Sequence, residues 1–219
     1  RVRVMINQEV CEGCGDCSIK SNCLSVEPVE TELGRKRRIN QSTCNTDLSC
    51  LRGFCPSFVT VKDAHFAADD APVLEVDASH LPLPDLPPVA QPWNVLFTGV
   101  GGTGVTTVAA VLAMAAHVDG NAASSLDMTG LAQKGGPVLS HLRFAKEPEM
   151  ISTGRVPPAS CDAIIGCDLV VAAGGDAISL MDVSRTHVTA NADVTPTSEF
   201  IRDRSKTFES QLLAARVKR

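Results

Sequence analysis

Apolar and polar positions in this chain alternate in short bursts, and the bursts fall into two groups separated by a proline-rich stretch. In the first group, Val2-Arg3-Val4-Met5-Ile6 alternates enough for a short strand. Arg37-Arg38-Ile39 closes a similar strand, and Phe58-Val59-Thr60-Val61 reads as a third. From about Ala64 to Trp93 the pattern dissolves. Pro72, Pro82, Pro84, Pro87, Pro88 and Pro92 remove backbone donors there and favour an extended, semi-rigid linker. The second group opens with the apolar strand Val95-Leu96-Phe97-Thr98, followed by glycines and an Ala-rich helix from Val105 to His117 that stops near Gly120.

Strand, glycine turn and helix in succession form the opening of a Rossmann-like unit, in which the glycines allow a tight turn and the helix N-terminus offers amides to an anion. A second strand runs through Ser124-Ser125-Leu126-Asp127-Met128, and Pro137 to Phe144 alternates as a third. Asp162-Ala163-Ile164-Ile165 is expected as a short helix, and Asp168 to Ala173 as a buried parallel strand ending in Gly174-Gly175. A last strand, His187 to Asn191, leads past Pro196 into a charged helical stretch from about Thr197 to Arg216. The expected architecture is an α+β module at 1–62, a linker at 63–93, and an α/β Rossmann-like domain with four parallel strands at 94–219. That domain is expected to be incomplete at its C-terminus, its edge covered by sequence outside this chain.

Composition changes little in this picture. The 219 residues suit one large or two small domains, and a formal charge of −5 gives no nucleic-acid or membrane signature. No apolar run approaches the ~18 residues needed to span a bilayer. The N-terminal residues break into polar Asn7-Gln8-Glu9 before an export signal could form, so a cytoplasmic protein is expected. Arg35-Lys36-Arg37-Arg38, answered by Glu27, Glu30 and Glu32, reads as a solvated hairpin tip. Arg1 in place of Met leads to the expectation of an internal piece of a longer polypeptide.

The cysteines change it a great deal. Seven of nine lie between Cys11 and Cys55. The first run is Cys11-x2-Cys14-x2-Cys17 followed by Cys23, and the second is Cys44-x5-Cys50-x4-Cys55-Pro56, with Pro where a bacterial ferredoxin run ends. Ile6-Asn7-Gln8 with Cys11 recurs 33 positions later as Ile39-Asn40-Gln41 with Cys44. In that register Cys17 falls opposite Cys50 and Cys14 opposite Asp47, while Cys23 and Cys55 close their runs one residue out of step. Because the last cysteine of each run ligates the other cluster in two-cluster ferredoxins, Cys11, Cys14, Cys17 and Cys55 form one set, and Cys44, Cys50, Cys23 and Asp47 the other. The first set suits a 4Fe-4S cluster. In the second, Asp47 supplies a hard oxygen to one iron, leaves the corner open for a 3Fe-4S cluster, or is a loop residue beside a lost site. Zinc would want two separated C-x2-C pairs, and disulfides an oxidising compartment. About sixty residues bury little surface, so metal binding is expected to supply much of the folding energy.

In the second group the candidate ligand loops are Gly99, Gly101, Gly102 and Gly104, and then Gly130, Gln133, Lys134, Gly135 and Gly136. The frame Gly99-x4-Gly104 resembles a P-loop, but Val105 stands where the phosphate-binding Lys belongs, so nucleoside triphosphate hydrolysis is not expected. Asp127 is either a ribose-binding carboxylate or a capping residue at a strand end. Ser140 and His141 fall on opposite faces of their strand, which assembles no hydrolase triad. Cys161 and Cys167 lack close cysteine neighbours and read as packing thiols.

Together the two-run cysteine module, the linker, Gly-Val-Gly-Gly-Thr-Gly-Val at 99–105, Asp127 to Gly136 and Ser140-His141-Leu142-Arg143 resemble the 2-oxoacid ferredoxin oxidoreductases. The likeness is to the ferredoxin-like segment and part of the gamma-type domain of the fused indolepyruvate ferredoxin oxidoreductase form. It implies oxidative decarboxylation of an aryl 2-oxoacid with thiamine diphosphate and Mg held in domains absent here, coenzyme A as co-substrate, and electrons leaving through iron–sulfur clusters to an external ferredoxin. It also implies thiamine-binding partner domains, a homo-oligomer, and no activity in this segment alone. The alternative is a stand-alone iron–sulfur flavin- or nicotinamide-dependent reductase that uses the glycine turn as a dinucleotide site.

Overall fold

The computed structural model describes residues 2–63, 82, 89–130, 135–192 and 209–218; most of the expected linker lies outside them. The N-terminal part is built from β1 (Val2–Ile6), α1 (Asp16–Ser21), β2 (Val26–Thr31), β3 (Gly34–Ile39) and β4 (Phe58–Lys62). β1 pairs antiparallel with β4, and β2 with β3. The two pairs are related by the sequence repeat. Ile6 opposite Phe58 in one pair matches Ile39 opposite Val26 in the other, and Val4, Ile6, Val26 and Ile39 pack with Cys11 and Cys50 into a single small core. Most charged side chains keep to the outer faces, but Glu27 and Arg37 are buried. Arg35 pairs with Glu30 and Arg38 with Glu27 on the hairpin, as its charges require, but Arg37 is 1 % exposed. It points inward because strand alternation puts it on the face of Ile39.

The second part comprises β5 (Trp93–Val100), α2 (Val105–Val118), β6 (Ala122–Thr129), β7 (Pro137–Ala145), β8 (Ala163–Gly166), α3 (Leu169–Ala172), α4 (Gly175–Ile178), β9 (His187–Ala190) and α5 (Ser210–Val217). Its five-stranded sheet has the order β6-β7-β5-β8-β9. The expected all-parallel arrangement is corrected. β8 runs parallel to β5 and β9 parallel to β8, whereas β7 is antiparallel to both β5 and β6. The seven residues between β6 and β7 are too few for a parallel crossover of a dozen or more, so β7 has to return as a hairpin and insert between β6 and β5. Alternation within a strand carries no information on this.

Two further elements are exchanged relative to expectation. Residues 163–166 form strand β8, not a helix, and Leu169–Ala172 form helix α3, not a strand. The signal that decides the second is Asp168, whose side chain accepts from the Val171 amide as an N-cap. The last helix, α5, falls inside the expected helical stretch.

Strand β5 is buried on both faces. Val95 and Phe97 pack with Val105, Ala109 and Leu142 beneath α2, and Leu96 packs with Leu139, Ile164, Val156, Cys161, Ala177 and Leu180 on the other side. The fully buried Cys161 is therefore a core thiol, and burial pushes it up to about 11. At the start of β5, Asn94 receives Arg143 Nε at 2.8 Å, and its own amide donates to Asp162 at 2.8 Å. Arg185 holds the same carboxylate at 2.5 Å, so this buried polar cluster is satisfied.

Candidate functional site

Both cysteine runs sit on loops of the same backbone shape. In the first loop Gly13 and Gly15 have φ of 72° and 78°, and 33 residues on Thr46 and Leu48 have φ of 59° and 58°. The sequence keeps left-handed residues at these two places even where glycine has been replaced, at a cost of about 1–2 kcal/mol each for a side-chain-bearing residue. Gly15 caps α1 and Leu48 caps the short turn Ser49–Arg52. Asn7 and Asn40 fold each loop inward in the same way, each side-chain oxygen accepting from the amide two residues on at 3.0 Å. Beyond the loops the offset becomes 32: the Asn7 amide donates to the Ser57 carbonyl at 2.8 Å and the Asn40 amide to the Ser25 carbonyl at 2.7 Å. This matches the single-residue slip of Cys55 against Cys23.

Some of the thiols act on one another across the two loops, Cys23 with Cys44 and Cys50 among them. Burial pushes the Cys50 thiol up to about 11, with further upward pressure from Cys23, Cys44 and Asp47, the other three members of the second set. Cys17 is likewise raised by burial, and among its neighbours are Cys11, from the first set, and Arg37. None of the seven cysteines is in a disulfide among the described residues, and they range from buried Cys11 and Cys50 to exposed Cys14. Among the described residues no three or more His, Cys, Asp or Glu close around a single cation. Soft sulfur donors, converging from two loops and already crowded enough to oppose each other's ionisation, fit a polynuclear iron–sulfur group better than a hard ion. Asp47 is the exception in donor type. Its Oδ1 accepts from the Ser49 amide at 2.9 Å and the Ser49 hydroxyl at 2.8 Å, which caps the Ser49–Arg52 turn.

The glycine turn is organised by a residue that motif reading missed. Asp168 is fully buried, and its Oδ2 accepts from the Val100 amide at 2.6 Å while Oδ1 accepts from Val171 at 2.9 Å. Gly99 is needed for space: a Cβ there would lie 2.5 Å from Thr103 Oγ1 and from Val105 Cγ2. Gly102 and Gly104 are needed for conformation, with φ of 103° and 84°. The Gly101 amide donates to the Gly136 carbonyl at 2.9 Å, so the two predicted glycine loops do meet. Gln133 and Lys134, assigned to the same site from sequence, lie outside the described residues. Asp127 sits within β6 opposite Ser140, whose hydroxyl donates to it.

The glycine turn faces the cysteine module across a cleft of about 940 Å³. Cys23, Asn45 and Asp47 line one wall, and Gly101, Thr103 and Thr106 the other. Leu24 bridges the two, resting against Gly135, where a Cβ would come within 2.5 Å of its side chain. None of Cys11, Cys14, Cys17 or Cys55 lines this cleft. Of the second set, Cys23 and Asp47 line it.

A mixed sheet with a glycine turn after its central strand makes residues 93–190 an α/β domain. The family model described as pyruvate ferredoxin/flavodoxin oxidoreductase matches residues 94–203, half of the chain, and the chain belongs to that family. It is 31% identical over 80 residues to the indolepyruvate oxidoreductase subunit IorB of Thermococcus kodakarensis, an alignment covering 36% of this chain and 38% of that protein. The chain therefore matches well under two thirds of that relative's length. Among solved structures it is similar to the pyruvate oxidoreductase subunit PORC of Thermotoga maritima, at 18% identity and a TM-score of 0.36, over 51% of this chain and 55% of that one. A keto/oxoacid ferredoxin oxidoreductase gamma subunit from Geobacter sulfurreducens matches at 22% identity and a TM-score of 0.36, over 49% and 57%. Among the described residues no helix is long and apolar enough to cross a membrane.

Proposed function

We propose that this chain is the electron-transfer and gamma-type segment of a thiamine-diphosphate-dependent 2-oxoacid ferredoxin oxidoreductase acting on an aryl 2-oxoacid such as indolepyruvate. Residues 1–62 are the iron–sulfur module, 63–93 the linker, and 94–219 the gamma-type domain. What supports the reading of the N-terminal module is one observation above all: the two cysteine loops share the same left-handed positions, Gly13 and Gly15 against Thr46 and Leu48, with Cys23, Cys44 and Asp47 acting on Cys50 and Cys11 acting on Cys17. Cys11, Cys14, Cys17 and Cys55 would hold one 4Fe-4S cluster; Cys23, Cys44 and Cys50, with Asp47 at the fourth corner, would hold a second. Such clusters supply one-electron acceptance and release. The chain's own share is to exclude water around Cys11 and Cys50, to fix the loops by the Asn7 and Asn40 turns, and to seat the second set against the cleft.

In the gamma-type domain, Asp168 holds the glycine turn rigid and Leu24 fixes its distance from the module. Gly99 to Gly104 with Gly130, Gly135 and Gly136 shape the cleft wall and carry no general acid or base. The decarboxylation chemistry belongs to thiamine-binding parts with which this segment would assemble, and coenzyme A would take up the acyl group. The test uses the complete enzyme, with all its thiamine-binding domains. It should reduce ferredoxin when given indolepyruvate and coenzyme A, lose that activity on Cys11→Ser, and give no reduction with NADH. Ferredoxin reduction driven by NADH in the absence of a 2-oxoacid would overturn the proposal.

A further inference from the structure

Of the inward-facing strand positions that the repeat makes equivalent, Ile6 and Ile39 match and one pair is chemically unlike. Position 37 is the counterpart of position 4 at the 33-residue offset, and both lie on the inward face of their strands, at 1 % and 2 % exposure. One is Val4. The other is Arg37, the largest fully buried side chain among the described residues.

Strand β3 is laid directly along the first cysteine loop. The Lys36 ammonium donates to the Cys11 carbonyl at 2.6 Å, and Gly13 comes so close to the Arg35 carbonyl that a Cβ would sit 2.0 Å from its oxygen. Arg37 Nη1 reaches the Lys36 carbonyl at 3.4 Å, and its charge acts on Cys17. The fixed buried cation therefore belongs to the first donor set. The second set has the neutral Val4 at the equivalent position and a carboxylate, Asp47, acting on Cys50. The other charges on the first loop, Glu12 and the Asp16–Lys20 pair, are exposed and screened by solvent.

We propose that Arg37 sets the reduction potential of the cluster held by Cys11, Cys14, Cys17 and Cys55, raising it above that of its partner. The inference rests on the two-cluster reading of the module. Reduction adds one electron and so one negative charge to a cluster, and a cation fixed in a water-poor core stabilises the reduced form more than the oxidised one. With Arg37 on one side and Asp47 on the other, an electron in the module comes to rest on the first cluster, away from the cleft. Arg37 acts through the field it places on the cluster, as a tuning residue.

The experiment is an EPR-monitored redox titration of the whole anaerobically purified chain, with Asp47→Cys used to mark which signal belongs to the second cluster. The first cluster should have the higher potential in the unaltered chain. In Arg37→Met and Arg37→Gln its reduced-to-oxidised ratio at a fixed ambient potential should fall about tenfold or more. The second cluster should move less, and Arg37→Lys should restore the original value. Potentials unchanged in both neutral variants, or shifted equally in both clusters, would overturn the proposal. If neither neutral variant folds, the order in the unaltered chain decides: a first cluster at lower potential than the second overturns it. A chain with no cluster signals at all is a different failure, of the two-cluster reading itself.

Discussion

The carboxylate of Asp168, just beyond the neighbouring strand β8, holds the Val100 amide at 2.6 Å, 68 residues apart in the chain. One buried side chain thereby joins the last residue of β5 to the first turn of α3 and fixes where the glycine turn leaves the strand. Burial raises the acid's pKa, while hydrogen bonds from Val171, Val100 and Val170 pull it back in part. Asp168→Ala leaves two buried amides without an acceptor and should destabilise the domain by roughly 1–3 kcal/mol for each, measured by denaturant unfolding of the chain. Because the folded acid binds its proton more tightly than the unfolded one, its contribution is largest at low pH and declines as pH rises from the ordinary carboxylate range through the folded value. Asp168→Asn should remove that decline. Unfolding curves of Asp168→Asn with the same pH dependence as the unaltered chain would contradict this.

Gly99 and Gly102 are both glycines of one turn, but they are there for different reasons. Gly99→Ala forces a methyl group against Thr103 Oγ1, Val105 Cγ2 and the Cys167 Cβ, and should cost about 1–3 kcal/mol by overpacking. Gly102→Ala meets nothing within 4 Å and pays only for its φ of 103°. Thermal unfolding should therefore rank Gly99→Ala as the more damaging of the two for the sheet domain. The opposite ranking would mean that the turn is not packed as described.

Leu48 and Thr46 carry strain that Gly13 and Gly15 do not. Leu48→Gly should stabilise the iron-loaded module by up to about 1 kcal/mol, since the left-handed cost to a leucine is removed. Gly13→Ala should prevent the first loop from closing, because its Cβ would fall 2.0 Å from the Arg35 carbonyl. Chelator-induced loss of visible absorbance reads both. A destabilised Leu48→Gly protein would show that the left-handed geometry at this position is not a strain.

The cysteine module was the most legible part of the chain. Strands β1, β3 and β4 follow from short alternating runs, and the repeat read from Ile6 to Cys11 against Ile39 to Cys44 reappears in the paired left-handed positions of the two loops. The single-residue slip between Cys23 and Cys55 was legible too, and reappears in the Ser25 and Ser57 hydrogen bonds. The inward turn of Arg37 was not, since a run of four basic residues reads as solvated unless strand register is applied to each one. In the sheet domain β5, α2 and β9 were legible from their apolar runs. The direction of β7 followed from the loop length before it, and the helix at Leu169 from the cap at Asp168, but an apolar run such as Leu-Val-Val-Ala-Ala fits a buried strand equally well. Asp168 itself escaped notice because its partner, Val100, is a backbone amide distant in sequence.

The central claim is that two duplicated loops of cysteines hold two iron–sulfur clusters, and iron and acid-labile sulfide counted in the anaerobically reconstituted chain, followed by dithionite reduction and EPR, test it most directly. The account predicts a brown protein with about eight irons or, with the Asp47 corner open, about seven, and EPR signals from two clusters. A colourless chain that gives no EPR signal after reduction, or one that never exceeds about four irons, would contradict it.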